Sequence, residues 1–131
     1  MPQKIILVRH GETQYNVERR LQGLTDIPLN KNGKAQARKV AHSLASENIS
    51  AIYTSDHKRA NLTASHIARK HDLKPHKTWK LREDKMGVFE GWQWEVEVDE
   101  YKQKLWKERS LARKTGDIHW KPEGGESLAQ H

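Results

Sequence analysis

The stretch Ile5–Thr13 constrains the fold most, because an apolar run ends abruptly in a charged turn that contains glycine. Four consecutive apolar residues, three of them β-branched, are typical of a strand that is covered on both faces. The chain would leave this strand at Arg9 and His10, where Gly11 permits a tight turn. We therefore expect a guanidinium and an imidazole side by side at the C-terminal end of a buried strand.

Arg9 and His10 are residue types that suit a phosphoryl group. The planar guanidinium can donate to two phosphate oxygens, and a neutral imidazole can attack phosphorus when its other ring nitrogen is held protonated. Such a pocket also needs further phosphate donors and a proton donor. The alternative is an ordinary Arg-His pair on the surface, so the remaining sequence has to decide between the two.

Length and composition limit the class of protein. The 131 residues fit one domain, residues 1–131, and the absence of cysteine excludes disulfides and thiolate metal sites. The first apolar run is too short for a signal peptide or a membrane span, which predicts a cytoplasmic protein without a membrane partner. The hydrophobic share of 34% is low. It indicates either a very polar surface or an apolar part of the fold that lies outside this chain.

The charge balance favours anionic partners. Lys and Arg total 24 against 17 Asp and Glu, which gives a formal charge of +7. The basic residues are spread along the chain without an RNA-binding or zinc-finger pattern, so we expect no specific nucleic-acid partner. No set of histidines and carboxylates has the spacing of metal ligands, and we predict neither a metal site nor a cofactor.

Alternating strand and helix patterns predict an α/β fold with a parallel sheet. The strand at 5–8 is followed by a polar loop (Glu12–Pro28), a helix capped by Asn30 (Lys31–Glu47) and a second strand (Ile49–Thr54). A helix from the cap Ser55-Asp56 to Lys70 and a short strand (Pro75–Trp79) come next. The last predicted elements are a helix (Trp94–Ser110) and a further helix starting at Gly125. The helical pattern and its tryptophans predict an insertion or cap over 92–125. Arg9, His10 and Arg59 should then share one rim of the sheet.

Several separated motifs occur together in one order. They are Leu7-Val8-Arg9-His10-Gly11-Glu12-Thr13 with Asn16, Arg20-Leu21-Gln22-Gly23, Gly33, Tyr53-Thr54-Ser55-Asp56 with Arg59 and Thr63, Leu81-Arg82-Glu83 with Gly87 and Glu90-Gly91, and Gly124-Gly125-Glu126-Ser127. The Arg-His-Gly motif alone is common, whereas the ordered set is specific. On these residues the chain resembles the histidine phosphatase superfamily, the phosphoglycerate mutase-like proteins, over essentially its whole length.

The resemblance implies a three-layer αβα fold with a mainly parallel central sheet, and it implies roles for particular residues. His10 matches the nucleophile that becomes a phosphohistidine, and Glu83 matches the usual proton donor. Arg9, Asn16 and Arg59 match the phosphate pocket. Gln22 and Gly23 match substrate-contacting positions and favour the phosphatase branch over the mutase branch.

The chain also departs from the family pattern. The family pocket has a second histidine, followed by glycine, at the end of a later apolar strand, but here only His10 precedes a glycine. We therefore predict that the C-terminal strand and helices of the fold are missing from this chain, which is then truncated or incompletely represented. The first strand would have an open edge, and a homodimer or an assembly that exchanges elements between chains would cover it.

The resemblance implies a metal-independent phosphomonoester hydrolase that acts on a small phosphorylated metabolite through phospho-His10. Three alternatives stay open. The first is phosphoryl transfer of the phosphoglycerate mutase type. The second is a phosphate-binding module that lost turnover together with the second histidine. The third is a basic scaffold that binds nucleic acid electrostatically.

Overall fold

Two parallel strands and the helix between them form the centre of the fold. The structure, a computed structural model, describes residues 4–131. Strand β1 (Tyr53–Ser55) pairs with strand β2 (His76–Thr78), and helix α3 (Lys58–Lys70) connects them. In this parallel register Tyr53 lies opposite His76 and Ser55 lies opposite Thr78. The unit confirms the predicted α/β class with a parallel sheet.

Three further helices and two short turns complete the secondary structure. The helices are α1 (Gln14–Val17), α2 (Lys31–Ser43) and α4 (Glu100–Thr115), and the 3₁₀ turns are Trp79–Leu81 and Gly87–Phe89. Over residues 4–131, none of the helices combines the length and the apolar character that crossing a membrane requires.

Helices α2 and α3 pack against each other through small side chains. Ala37 and Ala41 of α2 and Ala64 of α3 are almost fully buried. Small residues at these positions let the two helix backbones approach closely. As predicted, Asn30 caps α2, since its side-chain oxygen accepts a 2.7 Å hydrogen bond from the amide of Gly33.

The predicted buried strand at Ile5–Val8 is wrong. These residues have no regular secondary structure, and Ile5 and Leu7 are 82% and 92% exposed. In the part of the chain that the structure describes, the only sheet is the β1–β2 pair. Within residues 4–131, the apolar run therefore has no neighbouring strand to satisfy its backbone groups and no layer to cover its side chains.

Two boundaries in the central region differ between the prediction and the structure. Helix α2 ends at Ser43 rather than Glu47, and β1 begins at Tyr53 rather than Ile49. Helix α3 begins at Lys58, with His57 at the N-cap position. The predicted capping by Ser55 and Asp56 is replaced by Asp26, whose carboxylate accepts a 2.8 Å hydrogen bond from the Lys58 amide.

The C-terminal part differs from prediction as well. Helix α4 starts after Asp99, whose side chain accepts a hydrogen bond from the Lys102 amide. It ends at Thr115, before Gly116, which adopts a left-handed conformation with φ of 77°. No helix starts at Gly125, which instead forms an antiparallel bridge with Met86. The predicted loop over 12–28 contains the short helix α1.

An aromatic cluster anchors α4 to the rest of the chain. Phe89 is fully buried and stacks on Trp92 at a centroid distance of 5.8 Å. Trp106 of α4 meets Phe89 edge-on at 5.2 Å and Trp92 at 6.1 Å. Edge-to-face contacts of this kind add to the gain from burial. The cluster thus fixes the position of α4 next to the segment that precedes it.

We expect Phe89→Ala to lower the free energy of unfolding by about 3–5 kcal/mol, because it leaves a cavity at the centre of this cluster. The control is Trp79→Ala, which removes a side chain that is 67% exposed and should change stability by about 0.5 kcal/mol or less. Urea unfolding of both variants measures the difference. Equal effects would contradict the assignment of Phe89 to the core.

Candidate active site

His10 lies in a turn that is held between α2 and α3. The amide of Gly11 donates a 3.1 Å hydrogen bond to the hydroxyl of Thr63 on α3. The amide of Glu12 donates a 2.8 Å hydrogen bond to the side-chain carbonyl of Gln36 on α2. Two helices therefore fix the backbone on the C-terminal side of His10.

The same turn touches the first turn of α2 backbone to backbone. A Cβ atom on Gly11 would lie 2.4 Å from the carbonyl oxygen of Gly33, and one on Gly33 would lie 2.0 Å from the carbonyl oxygen of Glu12. Both distances are far below van der Waals contact. Glycine is therefore required at both positions for this approach.

The His10 ring is oriented by a hydrogen bond to its neighbour. Its Nδ1 lies 2.7 Å from the carbonyl oxygen of Gly11. A carbonyl only accepts, so Nδ1 carries the proton and Nε2 keeps its lone pair. Burial lowers the pKa of His10; the Gly11 hydrogen bond opposes this, whereas the positive charges of Arg59 and Arg9 lower the pKa further. The ring is therefore neutral and its Nε2 is available at neutral pH.

The residues proposed from the sequence line one open cleft with a volume of about 730 Å³. They are Arg9, His10, Asn16, Gln22, Gly23, Arg59 and Glu83. The fold thus brings together residues that lie up to 74 positions apart (83 − 9). Their chemical roles stay predictions.

Arg59 lies at the first turn of α3 and is only 4% exposed. Its two terminal nitrogens each donate a 2.9 Å hydrogen bond, one to the carbonyl of Gly23 and one to that of Thr25. A guanidinium has five N–H donors, so others remain for a ligand in the cleft. Burial lowers the pKa of Arg59, and the negative charge of Glu83 opposes this. The group is held in place without a carboxylate of its own.

The arginines of the cleft fall into two groups. Arg19 pairs with Glu95, and Arg20 pairs with Glu97 at 2.7 Å and with Glu18 at 2.8 Å. Arg9 and Arg59 have no carboxylate within ion-pair distance anywhere between residues 4 and 131. The cleft therefore holds two positive groups without a paired carboxylate beside the His10 ring.

Asn16 and Gln22 are oriented by a buried threonine. The backbone amide of Thr13 donates to the side-chain oxygen of Asn16 at 2.9 Å, and its hydroxyl lies 3.0 Å from that oxygen and 2.8 Å from the side-chain oxygen of Gln22. Thr13 is completely buried. This role of Thr13 was not predicted, although Thr13 and Asn16 have the spacing of a capping box, which the structure contains.

Glu83 follows the 3₁₀ turn at Trp79–Leu81 and is exposed to the cleft. Its carboxylate accepts a 3.2 Å hydrogen bond from the backbone amide of Asp84. It lies close enough to His10 for its negative charge to raise the pKa of that histidine. The cleft thus contains a carboxylate beside the imidazole and the two unpaired guanidinium groups.

Comparison with known proteins matches residues 5–131 to the family model of the histidine phosphatase superfamily (branch 1). The chain belongs to the histidine phosphatase superfamily. Within it, the chain is 42% identical over 127 residues to phosphoglycerate mutase-like protein 4 of Arabidopsis thaliana, covering 95% of this chain and 54% of that protein. It is 36% identical over 126 residues to phosphoserine phosphatase 1 of Hydrogenobacter thermophilus, covering 96% and 57%.

A solved structure confirms the predicted fold class for this superfamily member. Mycobacterial glucosyl-3-phosphoglycerate phosphatase, in complex with VO3, superimposes with a TM-score of 0.72 at 30% identity. The match covers 90% of this chain and 54% of the mycobacterial chain. The chain therefore spans about half the length of the relatives and structures it matches here.

Two further side chains of this superfamily member contribute to the cleft or to the loop that borders it, and neither was predicted to do so. Trp94, one of the tryptophans in the predicted insertion over 92–125, is 40% exposed and lines the cleft. Glu90 accepts hydrogen bonds from the amide of Leu24 at 3.1 Å and from the hydroxyl of Thr25 at 2.8 Å. Glu90 lies in a motif of the resemblance, but its contact across the fold is not visible in local sequence.

We expect the NMR titration midpoint of His10 to lie below that of an unfolded histidine, about 6.5. Because the folded-state pKa is lowered, the unfolded chain takes up a proton first as the pH falls. His10 therefore costs no stability above that range and destabilises the fold below it. Urea unfolding at pH 7 and pH 5 should show a smaller acid-induced loss in His10→Gln than in wild type. A midpoint at or above 6.5 would contradict the burial of the ring.

We expect Gly33→Ala to lower the free energy of unfolding by about 1–3 kcal/mol, because the added methyl group collides with the backbone of Glu12. The displaced turn should also shift the NMR resonances of His10. Lys34→Ala, at the next and exposed position of α2, is the matched control and should leave both unchanged. If Gly33→Ala behaves like the control, the backbone contact does not hold the turn.

Proposed function

We propose that this chain carries the nucleophile and the phosphate pocket of a phosphomonoester hydrolase that acts through phospho-His10 on a small phosphorylated metabolite. One observation supports this most directly. The Nδ1–H of His10 donates to the Gly11 carbonyl, which leaves Nε2 as a nucleophile in a cleft with the unpaired groups of Arg9 and Arg59. That is the arrangement required for attack on a phosphorus atom.

In the first step, Nε2 of His10 forms a bond to phosphorus and the ester P–O bond breaks. The ring becomes positively charged, and the Nδ1–H bond to the Gly11 carbonyl stabilises that charge. Arg9 and Arg59 neutralise the charge on the phosphoryl oxygens. Glu83, in its protonated form, gives its proton to the departing alkoxide, so that an alcohol leaves.

In the second step, water attacks the phosphorus of phospho-His10. The Glu83 carboxylate left by the first step accepts a proton from this water, and the P–N bond breaks. Inorganic phosphate leaves and neutral His10 is restored. We include metal independence in the proposal because the two arginines supply the charge neutralisation that a metal ion gives elsewhere.

The names of the relatives support this class of reaction but give different substrates. One of them is called a phosphoserine phosphatase, and the mycobacterial phosphatase was solved with VO3. Another is called phosphoglycerate mutase-like, which keeps mutase-type transfer as the second candidate. In that case phospho-His10 would pass its phosphoryl group to a second hydroxyl rather than to water.

We further propose that the protein is cytoplasmic and acts on metabolites without nucleic-acid or membrane partners. Homodimerisation, or exchange of elements between chains, would cover the apolar residues 5–8.

We expect His10→Ala to reduce hydrolysis of a small phosphomonoester roughly 10³-fold or more and to abolish acid-labile, alkali-stable label on the protein. The measurement combines release of inorganic phosphate with labelling from a ³²P-phosphomonoester. His66→Ala, on α3 and outside the cleft, is the matched control and should keep both activities.

Each outcome separates one candidate function from another. Label that persists in His10→Ala would contradict the proposed nucleophile. Label that passes to a second metabolite instead of water would indicate the mutase. Labelling of wild type without phosphate release would place the loss in the second step. Neither label nor phosphate release from folded wild type, together with phosphate binding that depends on Arg9 and Arg59, would indicate the binding module. An affinity for nucleic acid that falls steeply with salt and does not depend on Arg9 would indicate the nucleic-acid scaffold.

A further inference from the structure

The residues on either side of Glu83 are tied to opposite parts of the fold. Arg82 makes a two-pronged contact with Asp56, directly after β1, with distances of 2.7 Å and 2.6 Å. On the other side, one carboxylate oxygen of Asp84 accepts from Arg113 at 3.0 Å and from Arg109 at 3.3 Å, both on α4. Glu83 itself has neither kind of anchor. Its position therefore depends on its two neighbours.

The contact between Asp84 and Arg109 is better shielded than a typical surface ion pair, whereas Arg113 is 46% exposed. The side chains of Arg109 and Asp84 are only 16% and 21% exposed. The Arg109 guanidinium also lies over the Trp106 ring at 4.8 Å, and Trp106 packs on the buried Phe89. Burial lowers the pKa of Arg109, and Asp84 opposes that effect. Partial desolvation strengthens such a pair relative to an exposed one.

Asp84 reaches Glu83 through its backbone. Its amide donates the 3.2 Å hydrogen bond that orients the Glu83 carboxylate. The side chain of Asp84 is held by α4, so one residue connects α4 to the Glu83 carboxylate. A chain of named contacts therefore runs from the aromatic cluster through Arg109 and Asp84 to the carboxylate in the cleft.

We propose that Asp84 is a positioning residue, which uses its two arginine contacts on α4 to hold the Glu83 carboxylate where it can give a proton to the leaving oxygen. This inference rests on the proposed function, since it presupposes Glu83 as the proton donor. It adds a role for α4, which then affects proton transfer without touching the phosphoryl group.

The test uses Asp84→Asn, which keeps the shape of the side chain and the backbone amide but removes the charge that holds both arginines. Single-turnover phosphorylation of His10 is followed with two labelled substrates, glycerol 3-phosphate and 4-nitrophenyl phosphate. The alkoxide needs a proton to leave, whereas 4-nitrophenolate leaves without one. We expect a roughly 10–100-fold slower reaction with glycerol 3-phosphate and less than about a twofold change with 4-nitrophenyl phosphate.

Two controls make this difference specific. Asp99→Asn removes a carboxylate at the start of α4 that does not contact residue 83 or 84, and it should not separate the substrates. Asp84→Glu keeps the charge and should restore most of the rate with glycerol 3-phosphate. An equal loss with both substrates in Asp84→Asn, or no loss with either, would overturn the inference.

A measurement that needs no turnover separates this inference from the proposed function. The ¹⁵N order parameter of the Glu83 amide should fall in Asp84→Asn from the rigid range, about 0.85, toward the flexible range, about 0.6, while that of Gly11 stays unchanged. An unchanged value at Glu83 would overturn the positioning role. Wild-type protein that fails to label at His10 would instead contradict the proposed function, and the order parameters would still decide whether Asp84 fixes Glu83.

Discussion

The backbone contact between Gly11 and Gly33 is the constraint on which the site depends. It brings the start of α2 against the turn that presents His10, at distances that leave no room for a side chain. Thr63 then holds the same turn from α3, and the packing of α2 on α3 keeps the two supports at a fixed separation. The nucleophile candidate is therefore positioned by the helix pair rather than by a strand. This explains how an ordered turn follows an apolar run that has no sheet partner among residues 4–131.

Arg59 is fixed by the fold and yet keeps a positive charge that no carboxylate within residues 4–131 neutralises. Its hydrogen bonds to the carbonyls of Gly23 and Thr25 fix the loop at one wall of the cleft, and Glu90 accepts from the Leu24 amide and the Thr25 hydroxyl of the same loop. Carbonyls orient a guanidinium but do not neutralise its charge. The result is a cation that is rigid, nearly buried and still electrostatically available. A carboxylate partner would have given the same rigidity and removed the charge.

The motifs identify residues that the fold brings to one cleft, whereas several predicted bounds of helices and strands differ from the structure. His10, Arg59 and Glu83 were proposed because their motifs occur in one specific order, and that order does not depend on where an element begins. The prediction of a buried strand at 5–8 was wrong because an apolar run is buried only if another layer exists to cover it. Helix α4 was misplaced because the apolar spacing after Trp94 resembles a helix, whereas the capping side chain of Asp99 decides the start.

The contacts that sequence could not reveal join positions far apart in the chain. Glu90 bonds to Leu24 and Thr25, and Asp84 bonds to α4, more than twenty residues away in each case. Each is an ordinary carboxylate in its local sequence, and only the folded chain shows what it contacts. Local patterns therefore identify the residues that face the cleft more readily than the residues that hold them there.

The overall charge of +7 is a poor guide to what the cleft recognises. Charges on an exposed surface act over about 8 Å at physiological salt, and many of them are already paired. In the cleft, Arg19 and Arg20 are neutralised by neighbouring glutamates, so they add little field at the His10 ring. The positive charge nearest the ring comes from Arg9 and Arg59, which have no such partners within residues 4–131, and Glu83 adds a negative charge. An anion in the cleft is therefore attracted mainly by these two guanidinium groups, and this attraction would persist if basic residues elsewhere on the surface were lost.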